Sequence, residues 1–441
     1  MSEEPVARER SGHTAAADGQ FLYVWGGYVS VADHEVFLPN DELWLYDLEN
    51  GLWERRDVCG TVPPAMSGTC GCIVNEELYI FGGCCDDGQT NEHYSVNLQD
   101  ERFSWRRVTP RSGSLPSPRD KLSCWVHEGR IIYFGGYGHK LLSEITDPKS
   151  FIVDEASWAE DIFWGWNNEV HEFDTERSSW TEPQTFGRAP APRAAHASAS
   201  IGSKGYVCGG RIRETRTSDM FCLDLNSWTW SEIVSSTAAP LGRSWHTLTA
   251  VSDTSLFLFG GLSVDCRPMS DGWIFNLETK GWTEMEHQNK DKPRLWHSAC
   301  QGRDSDVIVF GGSHDYILLV DKVSVVCSTV YSIIQQTSEI YKPGSVKRIC
   351  FAGPLQRCAC LPDSAVPADA IMPRLHRKPR QHVSVPDSLF TTKTEKRCAE
   401  KDDFLQAKQK VPECGMICFK IKYCTREKGL FNIIKRSTFK I

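Results

Sequence analysis

Short apolar runs, each closed by a pair of glycines, recur along most of the chain. Phe21-Leu-Tyr-Val-Trp25, Leu78-Tyr-Ile-Phe81, Ile131-Ile-Tyr-Phe134 and Val307-Ile-Val-Phe310 lead into Gly26-Gly27, Gly82-Gly83, Gly135-Gly136 and Gly311-Gly312. Two further pairs stand at Gly209-Gly210 and Gly260-Gly261. Runs of this length bounded by glycine predict buried strands. A glycine pair at a strand end suits a sharp turn, where positive φ carries no steric cost. The steps between pairs are 56, 53, 74, 51 and 51 residues.

A second pattern follows each pair. Trp44-x2-Asp47-x5-Trp53 recurs as His171-x2-Asp174-x5-Trp180, Phe221-x2-Asp224-x5-Trp230 and Trp273-x2-Asn276-x5-Trp282, and in stretched form as Tyr94-x2-Asn97-x7-Trp105. A strand with an aromatic residue, an Asp/Asn turn and a strand with Trp predict a hairpin. Arg10, Arg119, Arg193, Arg243 and Arg294 each lie 16 or 17 residues before a glycine pair. Six units of about 50 residues and four short strands each predict an all-β fold, a six-bladed β-propeller over residues 8–320. The pattern resembles the kelch repeat. The long step implies an insertion between Gly136 and Val170 that carries Trp158, Trp164 and Trp166, either a binding loop or a local aromatic plug.

Charge divides the chain where the repeat stops. Residues 321–441 hold 22 Lys+Arg against 11 Asp+Glu, whereas residues 1–320 hold 27 against 46. All 15 Trp precede residue 320, and eight of the 18 Cys follow it. An acidic body argues against a general nucleic-acid binder. No run approaches the ~18 apolar residues of a spanning helix, so no membrane role is expected. The start of the chain shows no secretory signal, which points to reduced thiols and a cytoplasmic location. The basic stretch Arg374-Leu-His-Arg-Lys-Pro-Arg380 offers a nuclear alternative.

Candidate chemistry is sparse. His13, His196, His246 and His297 share one repeat position, three residues after the unit's arginine. Histidines can bind copper or zinc, and a metal-dependent oxidoreductase is the reading this would support. Equivalent positions in six blades are spread around an axis, so a hydrogen-bonding role is the simpler expectation. The tail cysteines, from Cys327 and Cys350 to Cys424, lack paired zinc knuckles. No phosphate loop, nucleophile elbow or metalloprotease motif occurs. No catalytic residue, metal or cofactor is expected.

Departures from the repeat carry more information. Arg211-Ile-Arg213-Glu-Thr-Arg216 is a cationic stretch in an acidic body, and Trp245 and Trp296 follow Ser244 and Leu295 in the last two units only. Arginines beside a serine hydroxyl suit a carboxylate, since guanidinium donates two parallel hydrogen bonds. The arginines equally suit ion pairs with Glu214 or Asp219, with the tryptophans plugging the repeat. The residues leave both readings open.

Specific strings narrow the resemblance. They include Arg10-Ser-Gly-His13, Val24-Trp-Gly-Gly-Tyr28, Leu38-Pro-Asn-Asp-Glu42, Met66-Ser-Gly68, Asp120-Lys-Leu122, Phe163-Trp-Gly-Trp166, Pro192-Arg-Ala-Ala-His196, Arg243-Ser-Trp-His-Thr247 and Pro293-Arg-Leu-Trp-His297. Across residues 8–320 the chain is similar to kelch-repeat substrate receptors of cullin-2 RING ubiquitin ligases. The resemblance implies capture of protein C-termini ending in glycine, including truncated selenoproteins. It implies a carboxylate clamp at Arg211, Arg216 and Ser244, and a pocket wall at Tyr28, Lys121, Tyr137, Trp166, Trp245 and Trp296.

It also implies elongin B/C and cullin-2 as partners through a C-terminal adaptor segment. Here the tail departs from the family. Its nearest fragments to the adaptor boxes are Ser345-Val-Lys-Arg-Ile-Cys350 and Leu361-Pro362. The alternative is therefore a propeller interaction module without ligase coupling. The tail reads as disordered by composition and as the product of splicing or a mispredicted exon. Tyr316–Val320, Val323–Val326 or an N-terminal strand are candidates to complete the sixth blade.

Overall fold

A computed structural model describes residues 5–31, 34–302 and 306–314, and the backbone of Met416–Lys420. Six antiparallel sheets form the blades of a β-propeller, and the single helical element described is one 3-10 turn at Leu142–Glu144. Blade 1 runs Thr14–Ala17, Phe21–Trp25, Glu42–Asp47, Trp53–Asp57 from axis to rim, and blade 2 runs Cys70–Val74, Glu77–Phe81, His93–Asn97, Ser104–Arg107. Blade 3 takes Ser123–His127, Arg130–Phe134, Val170–Asp174 and Ser179–Thr181. Blade 4 takes Ala197–Ile201, Lys204–Ile212, Thr215–Asp224 and Thr229–Glu232, and blade 5 takes Thr247–Ser252, Ser255–Ser263, Pro268–Asn276 and Gly281–Met285. The innermost strands neighbour one another around the ring, and Thr14–Ala17 meets Ser298–Gln301 of blade 6.

Each second strand lies between two neighbouring blades, which is why it reads as an unbroken apolar run. Val24, Trp25, Ile131, Ile132, Phe259, Val309 and Phe310 are fully buried there. The aromatic-Asp/Asn-Trp pattern is the outer hairpin. Asp47 Oδ1 accepts the backbone N–H of Glu49 and Asn50 at 2.7 and 2.8 Å, and Asp174, Asp224 and Asn276 do the same for the residues that follow them. Trp105, Trp180, Trp230 and Trp282 turn inward into the clefts between blades.

The repeat arginines are buried posts. Arg10, Arg119, Arg193, Arg243 and Arg294 each donate from Nη1 to the carbonyl of the first glycine of the pair, at 2.7–3.4 Å. A carboxylate two residues before the hairpin aromatic completes four of them. Asp219 and Asp271 take Arg193 and Arg243 in a two-point grip at 2.6–2.9 Å, Glu169 takes Arg119 at 2.6 Å, and Glu42 stands 3.9 Å from Arg10. In blade 2 the arginine position is the buried Met66, and the matching Glu92 pairs instead with Arg107 at 2.6 Å.

Blade 6 has three described strands, Ser298–Gln301, Asp306–Phe310 and Met416–Lys420. The third thus comes from far downstream; the segments Tyr316–Val320 and Val323–Val326 lie outside the described residues, as does the tail expected to be disordered. The fifth arginine of the series, Arg294, has Glu9 of the N-terminal segment 4.0 Å away as its carboxylate.

The insertion is built of strands. Phe151–Ala159 and Ile162–Asn167 form a hairpin that joins Tyr137–Leu141 and Arg119–Asp120 in a second four-stranded sheet above blade 3.

Candidate functional site

One position per blade builds the centre of the upper face. Gly12, Gly68, Lys121, Ala195, Trp245 and Trp296 each lie two residues after the repeat arginine or its Met66 counterpart and two residues before the first residue of the innermost strand. All six are left-handed, with φ between 53° and 70°. Each donates its backbone N–H to the carbonyl of the corresponding residue in the preceding blade. The bonds run Gly68 to Gly12, Lys121 to Gly68, Ala195 to Lys121, Trp245 to Ala195, Trp296 to Trp245 and Gly12 to Trp296, at 2.8–3.1 Å. They form a closed ring around the axis. Holding Lys121, Ala195, Trp245 and Trp296 in this conformation costs about 1–2 kcal/mol each, strain of the kind that gathers at functional sites.

The ring carries an asymmetric depression lined by Lys121, Leu122, Trp245 and Trp296 together with Gly12, Gly68 and the neighbouring histidines. Trp245 and Trp296 stack at 5.3 Å and 25°, and Tyr28 meets Trp296 edge-on at 5.6 Å. Lys121 Nζ lies 5.4 Å from the Trp296 ring and 5.9 Å from Tyr137, and it pairs with the buried Asp120. Tyr137 meets Trp166 at 5.2 Å, and the Arg211 guanidinium stands 6.0 Å over Trp166. Arg211 and Arg216 face each other across the blade 4 hairpin. Arg216 is 7% exposed and donates from Nε to Ser244 Oγ at 2.9 Å, with Cys266 Sγ 3.9 Å from its Nη1. Arg211 donates to the Arg213 carbonyl at 2.7 Å, and Glu214 is 3.7 Å away. Of the two alternative ion-pair partners, Asp219 belongs to Arg193, and Glu214 makes only this long, exposed contact.

Of the nine candidate residues, Lys121, Trp245 and Trp296 line the depression, the other six connect to them through the contacts and strand pairings above, and most fall on three repeat registers. Lys121, Trp245 and Trp296 are ring positions. Ser244 is the position before the ring, and Tyr28, Tyr137 and Arg211 are the position after the glycine pair. These last two registers bridge each other in every blade, as in Ser11 with Tyr28, Asp120 with Tyr137, Ala194 with Arg211 and Ser244 with Leu262. Trp166 and Arg216 enter as cross-strand partners of Tyr137 and Arg211. Sequence reasoning missed Cys84 and Leu262, which hold the post-glycine register in blades 2 and 5, and Cys266 beside the clamp; counting one residue past each glycine pair would have found the first two.

The repeated histidines are wedges between blades. Each stands one residue after a ring position and is buried. A Cβ on Gly210, Gly261 or Gly312 would fall 2.7–2.8 Å from the Cβ of His196, His246 or His297, and one on Gly135, Gly209 or Gly260 would fall 2.8–2.9 Å from the Cε1 of the same three. Both glycines are thus required by the histidine. His13, His196 and His297 share Nε2 hydrogen bonds with Ser298, Ser123 and Thr247 of the preceding blade, at 2.7–3.1 Å. At His246 the corresponding residue is Ala197, and His246 Nε2 has no hydrogen-bond partner among the described residues. Ala197→Ser is expected to stabilise the fold by about 1 kcal/mol through the missing bond. Chemical denaturation would measure it, and a loss of stability would refute the assignment. Among the described residues no cluster of His, Cys, Asp or Glu has the grouping a metal ion needs.

Burial pushes His13, His93, His196 and His297 down to about 3, and neighbouring arginines add to the effect. Free histidine titrates near about 6.5, so below that pH the unfolded chain binds protons that the folded one refuses. Stability is full above pH ~6.5 and is lost as pH falls toward about 3. Thermal melts at neutral pH and at about pH 5 are expected to differ by several degrees, and equal melting temperatures would show that these histidines are not held neutral.

The chain matches the KLHDC2/KLHL20/DRC7 Kelch-repeats domain over residues 12–261 and 162–343. It is 53% identical over 320 residues to human Kelch domain-containing protein 1, covering 72% of this chain and 78% of that protein. The mouse protein of the same name is 52% identical over the same shares. Bovine Kelch domain-containing protein 2 is 44% identical over 317 residues, 70% of this chain and 77% of that protein. Drosophila Host cell factor is a more distant relative, 28% identical over 337 residues, 71% of this chain and 21% of that protein.

Proposed function

The chain belongs to the family of the KLHDC2/KLHL20/DRC7 Kelch-repeats domain, and on that premise we propose that it is a non-catalytic receptor for protein C-termini ending in glycine. The observation that carries the reading is Arg216, nine-tenths buried and oriented by Ser244, the residue before the ring position Trp245, with Arg211 opposite it on the hairpin. A guanidinium so placed suits a two-point grip on a carboxylate. The Trp245–Trp296 stack, Tyr28 and Trp166 supply low-dielectric walls that strengthen such a pair. A terminal glycine adds no side chain, so a closed wall rejects larger residues by clash.

In this reading the receptor delivers its ligands, truncated selenoproteins among them, to a cullin-2/elongin B/C ligase. The divergent tail keeps a second reading alive, in which the propeller binds C-termini without ligase coupling. The fragments Ser345–Cys350 and Leu361–Pro362 lie outside the described residues. Fluorescence polarisation with a labelled peptide ending in Gly-Gly, as free acid and as C-terminal amide, tests the pocket. Binding of the acid alone is expected, and equal binding or none would remove the reading. Co-purification with elongin B/C separates the two versions.

A further inference from the structure

The mouth of the depression is electrically divided. Blade 4 contributes Arg211, Arg213 and Arg216 from one hairpin. The hairpins that follow the glycine pairs in blades 1 and 2, and the inserted sheet on blade 3, contribute carboxylates. Glu35 hydrogen-bonds Tyr28 and lies within the field of Lys121. Asp86 and Asp87 form the exposed turn between Cys84–Cys85 and Gly88–Gln89. Asp154 accepts the Tyr137 hydroxyl at 2.8 Å, and Glu155 stands 3.8 Å from Arg213. Trp164 Nε1 donates to Gln89 at 3.2 Å, so the blade 2 hairpin and the inserted sheet form one continuous lip. Across residues 137–168 six carboxylates face two lysines, and one of those, Lys140, is buried against Glu169.

The walls are unequal as well. Blades 5 and 6 raise Trp245 and Trp296 from the ring, and blade 3 raises Lys121. Blades 1 and 2 place Gly12 and Gly68 there, with no side chain at all. The Trp296 ring lies over Gly12, so the side of the ring without a large side chain is blade 2, and a peptide held at blade 4 by its carboxylate would leave there, toward Asp86 and Asp87, with Glu35 and the inserted sheet on either side. At ~3.3 Å per extended residue, the third to eighth positions from the end span roughly 10–25 Å and pass this lip. The exposed Trp158 and Leu142 of the insertion give long side chains apolar surface to lie on.

Resting on the clamp reading, we propose that the receptor prefers C-termini whose residues upstream of the terminal glycines are lysine or arginine. The acidic lip selects the cationic segment, and the blade 4 arginines select the carboxylate. Such a ligand is itself divided, basic along its length and anionic at its end, and complementary potentials steer it into register.

Three labelled twelve-residue peptides ending in Gly-Gly test this on the full-length protein. They carry lysine, serine or glutamate at the third to eighth positions. Lysine is expected to bind about 10-fold or more tighter than glutamate near ~50 mM salt, with serine between. The gap should shrink to about threefold or less near ~500 mM, where the Debye length is short. The variant Asp86→Lys/Asp87→Lys/Glu160→Lys, which changes the exposed blade 2 turn and the exposed turn between Phe151–Ala159 and Ile162–Asn167, should reverse the order while keeping the wild-type melting temperature. Equal affinities for the three peptides, or an order unchanged in the variant, would overturn the proposal. The serine peptide as acid and amide reports the clamp separately. Equal binding of those two sinks the clamp, and a lysine preference in the same data would still hold for the lip.

Discussion

Arg216→Ala is expected to weaken binding of a Gly-Gly free acid by about 30-fold to several thousandfold, with the amide almost unaffected. That range is the ~2–5 kcal/mol lost when one partner of a buried charge pair is removed. Arg216 is placed for the large effect because it is 7% exposed and its Nε is already committed to Ser244. Arg211 is one-third exposed, so its replacement by alanine should cost less, because water screens the pair. Arg216→Lys keeps the charge and loses the planar fork, and should fall between wild type and alanine. Folded Arg216→Ala protein that binds the acid as tightly as wild type would end the clamp assignment.

Asp271→Ala should act on the scaffold, costing about 3–5 kcal/mol and lowering the melting temperature by roughly 5–15 °C. Asp271 holds both terminal nitrogens of Arg243 at 2.7 and 2.8 Å, and Arg243 is 1% exposed. Without Asp271 a guanidinium stays buried against two neutral carbonyls, Gly260 at 2.9 Å and Leu241 at 3.0 Å. Ser244 follows Arg243 in the chain and orients Arg216, so the same variant should also weaken peptide binding. A melting temperature within about 2 °C of wild type would show that the arginine posts contribute little, as exposed pairs do.

Much of this was legible along the chain because it depends on residues that repeat. The glycine pairs, the arginines, the histidines and the aromatic-Asp/Asn-Trp hairpins sit where the sequence pattern put them, and the histidines prove to be wedges that require both glycines. The carboxylates at Glu42, Glu92, Glu169, Asp219 and Asp271 repeat as faithfully, two residues before each hairpin aromatic, but only Asp219 among them reads from the sequence as an ion-pair partner, and for the arginines of its own hairpin rather than Arg193. In four of the five their meaning needs a buried arginine far away in the sequence, which no local pattern displays. The ring position was hidden for the opposite reason. Gly12, Gly68, Lys121, Ala195, Trp245 and Trp296 share a backbone shape and no chemistry.

The insertion and the sixth blade resisted for physical reasons too. A 74-residue step fixes only a length, and the sheet formed by Phe151–Ala159 and Ile162–Asn167 depends on cross-strand partners in Arg119–Leu141. The third strand of blade 6 pairs Asp306–Phe310 with Met416–Lys420, about a hundred residues away and without the acid-x-aromatic signature of the other blades.

The closed circle of six amide bonds also sets a timetable. Gly12 can donate to Trp296 only after 284 further residues have been made. At ~5–20 residues per second on the ribosome, the first blade waits roughly 15–60 s for the last. During that interval the innermost strand of blade 1 lacks its final neighbour, and Arg10 lacks the Gly312 amide that its carbonyl accepts at 2.9 Å. The nascent chain is then an open arc with an exposed edge, the state in which a chaperone or a neighbouring nascent chain competes for it.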